Sequence, residues 1–360
     1  MEYFTLSNGV EMPAVGIGTF LMQPDQAEQA VLAALQMGYK MIDTANAYMN
    51  ERAVGRAMRK SGVAREDIFL STKIWASDYE KENAVEKTLE ILGVDYIDLL
   101  YIHQPSGNYM AGYRLLEKAY KEGMIKSIGI SNFHDHKLEH LLSECEIKPH
   151  VIQLEEHPYF SDTKTLNMLS PYGVKLMAWY PLGHGDKGLL NEPVFAELAA
   201  KYGKTAAQII LRWHIQNGTS VIPGSTNPDH IRENADIFDF TLTEEEMAAV
   251  KALNTNTRFY NPPADMEEKY AFFAIDLDAQ PYTMLPLRGA KRRGNPQIYR
   301  RLPHQCAHWF AMTYLLRRCN YDLLLFCHRQ QPPCCQQTGG SAERIRHPGA
   351  GCVGFGHQSR

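Results

Sequence analysis

The sequence predicts an α/β fold of the closed-barrel type, with eight parallel strands alternating with eight helices and a β-hairpin ahead of them. Three observations carry that expectation. Strand-like and helix-like runs alternate eight times within about 240 residues, the rhythm of a (β/α)8 barrel. Polar residues stand at or just past the ends of successive strand-like runs, where such a barrel places its chemistry. The first strand-like run, AVGIGTF, carries only two glycines, whereas an open doubly wound sheet uses three after its first strand to hold phosphate.

The elements follow in order. FTLSNGVEMP alternates around Asn8-Gly9, a two-residue hairpin signal, so residues 4–13 are expected to form an antiparallel pair ahead of the barrel. After AVGIGTF, the run PDQAEQAVLAALQMG spaces Ala27, Ala30, Val31, Ala34 and Leu35 at helical intervals and stops at Gly38. KMIDTA then precedes NERAVGRAMRKSG; IFLSTKIW precedes DYEKENAVEKTLEILG; IDLLYIH precedes YRLLEKAYKEG. IKSIGIS leads to HDHKLEHLLSEC, VIQLEE to DTKTLNMLS, KLMAWYP to a helical region through Gln216, and SVIPGS to NPDHIRENADIF.

The chain has 360 residues, 44% hydrophobic and 22% charged, which suits a soluble protein with a large core. The N-terminus lacks a basic stretch followed by an apolar one, so no secretory signal is expected. The apolar stretch 307–327 is split by Arg317-Arg318 and falls short of the ~20 residues of a membrane helix. Only Cys145 among seven cysteines precedes residue 300, so the body does not depend on disulfides and a reducing cytoplasm is the expected compartment. Charge is uneven: residues 281–360 hold 12 Lys+Arg against 2 Asp+Glu, a surplus of +10, and because the whole chain is −4, residues 1–280 carry −14. The two parts are therefore read as separate: a barrel over 1–280 and a basic, Cys/Arg-rich segment over 281–360.

Four residues, Asp43, Tyr48, Lys73 and His103, fall at or just past the ends of three successive strands. A tyrosine hydroxyl titrates near ~10, so as a general acid at neutral pH it needs a neighbour that stabilises the phenolate. A lysine ammonium does so, and an aspartate beside the lysine keeps it charged in a pocket. A histidine adds a donor to a carbonyl oxygen that is gaining negative charge. Together they describe a site for adding hydride to a carbonyl, the hydride coming from a cofactor because no side chain supplies it. Such proton transfer is worth about 10²- to 10⁴-fold, or roughly 3 to 5 kcal/mol. The plain alternative is a structural Asp43–Lys73 ion pair, a helix-start aromatic and a core histidine, and it has to hold at all four positions at once.

Across residues 1 to about 280 the sequence resembles the aldo-keto reductase superfamily, in particular its short prokaryotic-type, diketogluconate reductase-like members. The resemblance is carried by GIGTF, the D-T-A-x-x-Y-x-N-E run at 43–51, STKIW, DLLYIH, GISNF, the Gln153 region, WYPLG and IPGS…IRENADIFDF. It implies a TIM barrel with the N-terminal β-hairpin closing its bottom, and NADPH-dependent reduction of aldehydes or ketones, with Asp43, Tyr48, Lys73 and His103 as the catalytic tetrad and Tyr48 as proton donor. It also implies that Ser131, Asn132 and Gln153 hold the nicotinamide carboxamide, that Trp179 stacks on the ring and that Leu182 lies near the pyrophosphate. Ser225, Glu233 and Asn234 match contacts to the adenosine end, and Thr19 and Phe20 match the first-strand turn at the cofactor and substrate edge, with Thr19 and Asp43 also implied as cofactor-binding.

Two departures from the family pattern bear on the cofactor. Gly224 and His230 stand where many members carry Lys and Arg for the 2′-phosphate, which leaves that group to Ser225, Asn227 and His230 at a helix N-terminus and leaves NADH or dual use open. Tyr180 stands where serine is common. Phe20, Trp75, Gln104 and Tyr109 are expected at the substrate mouth, suiting a small carbonyl compound. The rival class is a nicotinamide-binding sensor or partner-binding protein on the same barrel.

Other patterns are weaker. Gly183 to Gly188 reads G-x-G-x-x-G after the seventh strand, where it is expected to cover a phosphate-bearing ligand; a surface loop is the alternative. His136 and His140, four apart, and Glu155 to His157 are read as solvated or loop-lining polarity, and no metal is expected. Residues 281–360 match nothing in the family, whose chains of this type end near Asp278-Ala279-Gln280. They are read as a frameshifted or read-through tail, with a disordered basic extension and a Cys/His metal module as alternatives. The barrel is expected to be monomeric, bound to neither membrane nor nucleic acid.

Overall fold

In the computed structural model, residues 1–263 and 265–281 are described; the expectations for the tail fall, from residue 282 on, outside the described residues. Strands β1 (Tyr3–Thr5) and β2 (Glu11–Pro13) pair antiparallel, with Phe4 opposite Met12. The turn between them is longer than the two residues expected. Leu6 and Val10 close it, with Leu6 N donating to Val10 O at 2.9 Å, and Gly9 alone in it has positive φ, at 85°. Asn8 keeps an ordinary backbone because its side chain is engaged elsewhere, donating to Lys126 O at 2.9 Å and accepting from Val10 N.

The barrel strands are β3 (Ile17–Gly18), β4 (Met41–Asp43), β5 (Phe69–Ile74), β6 (Leu99–Ile102), β7 (Ile128–Ser131), β8 (Val151–Glu155), β9 (Lys175–Trp179) and β10 (Ser220–Val221). Each pairs in parallel with its sequence neighbour. A parallel bridge between Val15 and Val221, with Gly16 N donating to Val221 O and Val221 N to Ala14 O at 2.9 Å each, joins the last strand to the first. The expected eight-stranded ring is thus closed.

Period-2 alternation sorts the strand residues into an inner and an outer set. Met41, Phe69, Leu99, Val151 and Met177 pack together inside the ring, with Leu6 and Met12 of the hairpin against them. Four of these stand at or next to the first residue of their strand, so the hairpin plugs the N-terminal end and leaves the opposite end open. Ile42, Leu70, Leu100, Ile130 and Ile152 belong to a larger cluster beneath the helices.

Helices α1 (Pro24–Gln36), α2 (Glu51–Ser61), α3 (Ala84–Leu92), α4 (Tyr109–Lys121), α5 (Asp135–Glu144) and α6 (Thr163–Leu169) follow β3 to β8 in turn. After β9 come α7 (Lys187–Leu190), α8 (Pro193–Tyr202) and α9 (Ala206–Gln216); after β10 come α10 (Pro228–Ala235), α11 (Glu244–Lys251) and α12 (Met266–Lys269). Local chemistry sets several boundaries. Thr205 and Gln208 form a reciprocal capping box at the start of α9, and Gly62 and Gly93, both left-handed, end α2 and α3. Among the described residues no helix is long and apolar enough to cross a membrane.

Candidate active site

A cleft of about 850 Å³ opens at the C-terminal end of the strands. Asp43 is the last residue of β4 and Lys73 the last but one of β5; Tyr48 ends a single 3-10 turn, Asn46–Tyr48, and His103 follows β6 directly. Sequence neighbours on a strand point to opposite faces, so Lys73 enters the ring while Thr72 points out toward α2. The Lys73 Nζ donates to Asp43 Oδ2 at 2.5 Å, to Thr44 O at 2.9 Å and to the Tyr48 hydroxyl at 3.4 Å. Asp43 Oδ1 accepts from Ser71 Oγ at 2.8 Å and from Gln153 Nε2 at 3.0 Å.

Burial sets the electrostatics of this group. It holds the Tyr48 hydroxyl well above the usual phenol range, and the nearby Asp43 charge adds to the effect. Burial also lowers the Lys73 ammonium, against the opposing pull of the Asp43 and Glu51 carboxylates. His103 is pushed well below its ordinary value by burial and then by the Lys73 charge, so its ring is neutral at physiological pH. Its Nδ1 is buried and has no hydrogen-bond partner among the described residues. A proton there would leave an unsatisfied donor, so the neutral ring carries it on Nε2. Tyr48 and Trp75 both lie edge-on to this imidazole, at 5.8 and 5.1 Å between ring centres.

Phe20, Trp75 and Gln104 line the same cleft as Tyr48 and His103. Tyr109 lies elsewhere: its hydroxyl meets His140 Nδ1 at 2.8 Å and its ring packs on Phe133, because as the first residue of α4 it turns toward α5. Ser131, Asn132, Gln153, Trp179 and Leu182 line the cleft floor and wall, and Ser225, His230, Glu233 and Asn234 its far end. Thr19 and Asn227 are not among the lining residues. Thr19 is buried behind the cleft with its Oγ1 on Asp43 O at 3.1 Å, and Asn227 caps α10 by accepting from Asp229 N at 3.0 Å. His184 and Gly185 of the glycine segment reach the cleft, where His184 packs against Tyr180 with ring centres 4.5 Å apart.

This arrangement suits a nicotinamide dinucleotide. The Trp179 indole is held flat by its Nε1 donating to Asn132 Oδ1 at 3.1 Å, with the Ser131 hydroxyl and the Gln153 amide close by. A planar ring bearing a carboxamide finds there both a stacking face and polar partners. At the far end, acidic and amide groups at α10 offer partners to a second heterocycle.

Several contributors escaped the sequence reading. Tyr260 and Tyr270 line the cleft from the C-terminal segment, edge-on to Trp179 and Trp75 respectively, with their hydroxyls in contact. The segment is tied down by Glu155, which is fully buried and accepts from Arg258 Nε at 3.0 Å, Phe259 N at 2.6 Å, Tyr260 N at 3.1 Å and His157 Nε2 at 3.3 Å. Burial disfavours the Glu155 charge, but the His157 and Arg258 contacts outweigh it and hold the carboxyl below its ordinary range. Glu155 and His157, both buried where loop-lining polarity is expected, thus serve as an anchor for the cleft wall. His136 and His140 both sit on the exposed face of α5.

Comparison with known proteins agrees with this geometry. A family model described as "Aldo/keto reductase family" matches residues 14–255. The chain is 44% identical over 266 residues to glyoxal reductase of Bacillus subtilis, covering 72% of this chain and 96% of that one. It is 43% identical, also over 266 residues, to 9,11-endoperoxide prostaglandin H2 reductase of Trypanosoma cruzi, covering 72% and 94%. Among solved structures, an aldo-keto reductase of Bombyx mori in complex with NADP is similar at a TM-score of 0.69 and 32% identity, covering 75% of this chain and 98% of that one.

Proposed function

The chain belongs to the aldo/keto reductase family, whose reaction is nicotinamide-dependent carbonyl reduction, and from that premise we propose an NADPH-dependent reductase of aldehydes and ketones in which Tyr48 protonates the carbonyl oxygen. The observation that carries the assignment of roles is the buried contact chain from Asp43 through Lys73 to the Tyr48 hydroxyl, 2.5 and 3.4 Å long in its two links. A bound reduced nicotinamide supplies the hydride.

The side chains do the rest. The raised Tyr48 hydroxyl keeps its proton at rest, as a donor should. When the proton leaves, the Lys73 ammonium stabilises the phenolate, and Asp43 keeps that ammonium charged in a site where burial opposes it. The neutral His103 donates from Nε2 to the same carbonyl oxygen and orients it toward Tyr48. Trp75, Phe20 and Gln104 shape the mouth for the substrate, with Tyr260 and Tyr270 as an aromatic wall.

Ser131, Asn132 and Gln153 are assigned to the carboxamide, Trp179 to stacking, Leu182 to the pyrophosphate, and Glu233 and Asn234 to the adenosine end. Preference for NADPH is assigned to Ser225, Asn227 and His230 at the N-terminus of α10, where backbone N–H groups favour a phosphate. Thr19 acts one step back, holding the end of β4 through Asp43 O.

The test is oxidation of NADPH and NADH by the full chain with a panel of reactive aldehydes and ketones, beside Tyr48→Phe. Turnover that collapses in the variant with nucleotide binding retained supports the assignment, and the ratio of kcat/KM for the two nucleotides reports their preference. Nucleotide binding with no turnover on any carbonyl, or a fully active variant, sinks the mechanism and favours a nicotinamide-binding sensor.

A further inference from the structure

One buried carboxylate next to this group takes no part in the mechanism above. Glu51, the first residue of α2, is 0% exposed. Its Oε1 accepts from Thr72 Oγ1 at 2.6 Å, both its oxygens accept from Asn46 Nδ2 at 3.1 and 3.0 Å, and its Oε2 accepts from Gln280 Nε2 at 3.4 Å.

The three donors come from three separate pieces of chain. Thr72 precedes Lys73 on β5. Asn46 opens the single turn that ends at Tyr48. Gln280 arrives from the end of the described segment, and its other amide atom, Oε1, accepts from Arg52 N at 3.1 Å in the first turn of α2. Asn46 Nδ2 also donates to Thr88 Oγ1 of α3 at 3.3 Å. Among the described residues no basic side chain is bonded to Glu51, and a buried carboxylate without a bonded cation is costly.

We infer that Glu51 is a positioning residue that holds the Tyr48-bearing turn against the Lys73-bearing strand, and that Gln280 completes this clamp; the inference rests on the reading that Tyr48 and Lys73 transfer the proton. A shift of about 1 Å between donor and acceptor is enough to slow such a step severely. The 3.4 Å Lys73–Tyr48 contact depends on the turn and the strand keeping their relative place, and Glu51 bonds both. It also adds a second carboxylate behind Lys73. Burial holds the Glu51 carboxyl above its ordinary value, its three donors and Lys73 draw it down only in part, and the Glu51 charge in turn supports the Lys73 ammonium.

The experiment measures kcat, KM and nucleotide dissociation constants against pH for the full chain and for Glu51→Gln, Thr72→Val, Gln280→Ala and Tyr48→Phe. Glu51→Gln sets one amide N–H against the donors of Asn46 or Gln280. It should lower kcat by about 10- to 100-fold, a part of the 10²- to 10⁴-fold worth of an acid catalyst, with nucleotide affinity within about twofold.

The alkaline fall in its kcat should move to lower pH. Lys73 is faced by Asp43 of β4, Tyr48, Tyr101 of β6, His103 and Glu51. Loss of the Glu51 charge therefore leaves Asp43 as the one carboxylate among these supporting it. Gln280→Ala and Thr72→Val, which keep the charge, should lower kcat several-fold without moving that limb. They carry the test if Glu51→Gln fails to fold.

Wild-type kcat and pH profile in folded Glu51→Gln, or in both milder variants, while Tyr48→Phe is inactive, overturns the inference and leaves the mechanism standing. A fully active Tyr48→Phe overturns the mechanism itself.

Discussion

The indole Nε1 of Trp179 donates to Oδ1 of Asn132 at 3.1 Å, so the flat wall of the cleft is held by an amide from the neighbouring part of the ring. Asn132 has a left-handed backbone, φ 64°, and its Nδ2 donates to His103 O at 3.3 Å and to Ser131 Oγ at 3.2 Å. One side chain therefore fastens the ends of β6, β7 and β9 to each other. Replacing Asn132 with Ala should free the indole and weaken nicotinamide nucleotide binding roughly tenfold, the equivalent of about 1.4 kcal/mol. Fluorescence titration of the nucleotide checks this, and unchanged affinity would refute the role of the clamp.

Lys73→Met is expected to lower kcat by about 10²- to 10⁴-fold and to destabilise the fold by about 3–5 kcal/mol, because it leaves the buried Asp43 carboxylate without its cation. Steady-state rates and denaturant melts measure the two effects separately. Adding Asp43→Asn to Lys73→Met should recover stability but not kcat.

Glu156 gives the protein a pH-dependent weakness. Burial pushes its carboxyl up to about 8, the nearby Asp162 adds to this, and a Ser161 hydrogen bond opposes it. The folded protein therefore binds a proton that the unfolded chain has released, from the ordinary carboxyl range up to about pH 8. The stability this contributes is complete below that range and is lost as pH rises through 8. Melting temperatures of wild type and Glu156→Gln between pH 5 and 9 test it. The variant should gain on the wild type steadily with pH, and parallel curves would show the carboxyl to be neutral to folding.

Arg258→Ala removes the guanidinium from the buried Glu155 and loosens the segment that carries Tyr260 to Trp179. KM for the carbonyl substrate should rise roughly tenfold, about 1.4 kcal/mol, with a smaller change in kcat. Arg258→Lys should recover only part of this, since a point charge does not reproduce the guanidinium's planar geometry. A kcat loss with constant KM would count against the anchor.

Gly55→Ala tests packing rather than chemistry. A Cβ at Gly55 would sit 1.9 Å from Leu92 O, a backbone atom that cannot swing aside, so α2 has to move off the end of α3. A loss of about 1–3 kcal/mol is expected, read from chemical denaturation. Because α2 begins at Glu51, kcat should fall as well.

What could be read from the sequence divides along physical lines. The eight strands were legible because each is a short apolar run followed by a helix with its own stop signal, such as Gly62 and Gly93. Asp43, Tyr48, Lys73 and His103 were legible because a strand end fixes where a side chain goes. Tyr260 and Tyr270 were not, since NPPADM and its surroundings have no period; Tyr260 is held by Glu155, about a hundred residues away, and Tyr270 meets Tyr260 and Trp75. Glu51 looked like the opening of a helix; its three donors meet only when β5, the Tyr48 turn and residue 280 have come together. Its place after β6 puts Tyr109 at the mouth in the sequence, but as the first residue of α4 it faces α5, on His140 and Phe133.

The closure of the ring at Val15 and Val221 has a bearing on how the chain folds. Ser220 Oγ donates to Pro13 O across 207 residues, and Gln280 reaches Glu51 across 229. The first strand of the ring is made well before the last, so its outer edge has no partner until Val221 has left the ribosome. Contacts of such long sequence separation form slowly, and through that interval β3 offers an open edge to any other strand. The interval during which this protein is most exposed to misassembly is therefore set by the time needed to make residues 16 to 221, and a mutation that weakens the seam should show first in soluble yield.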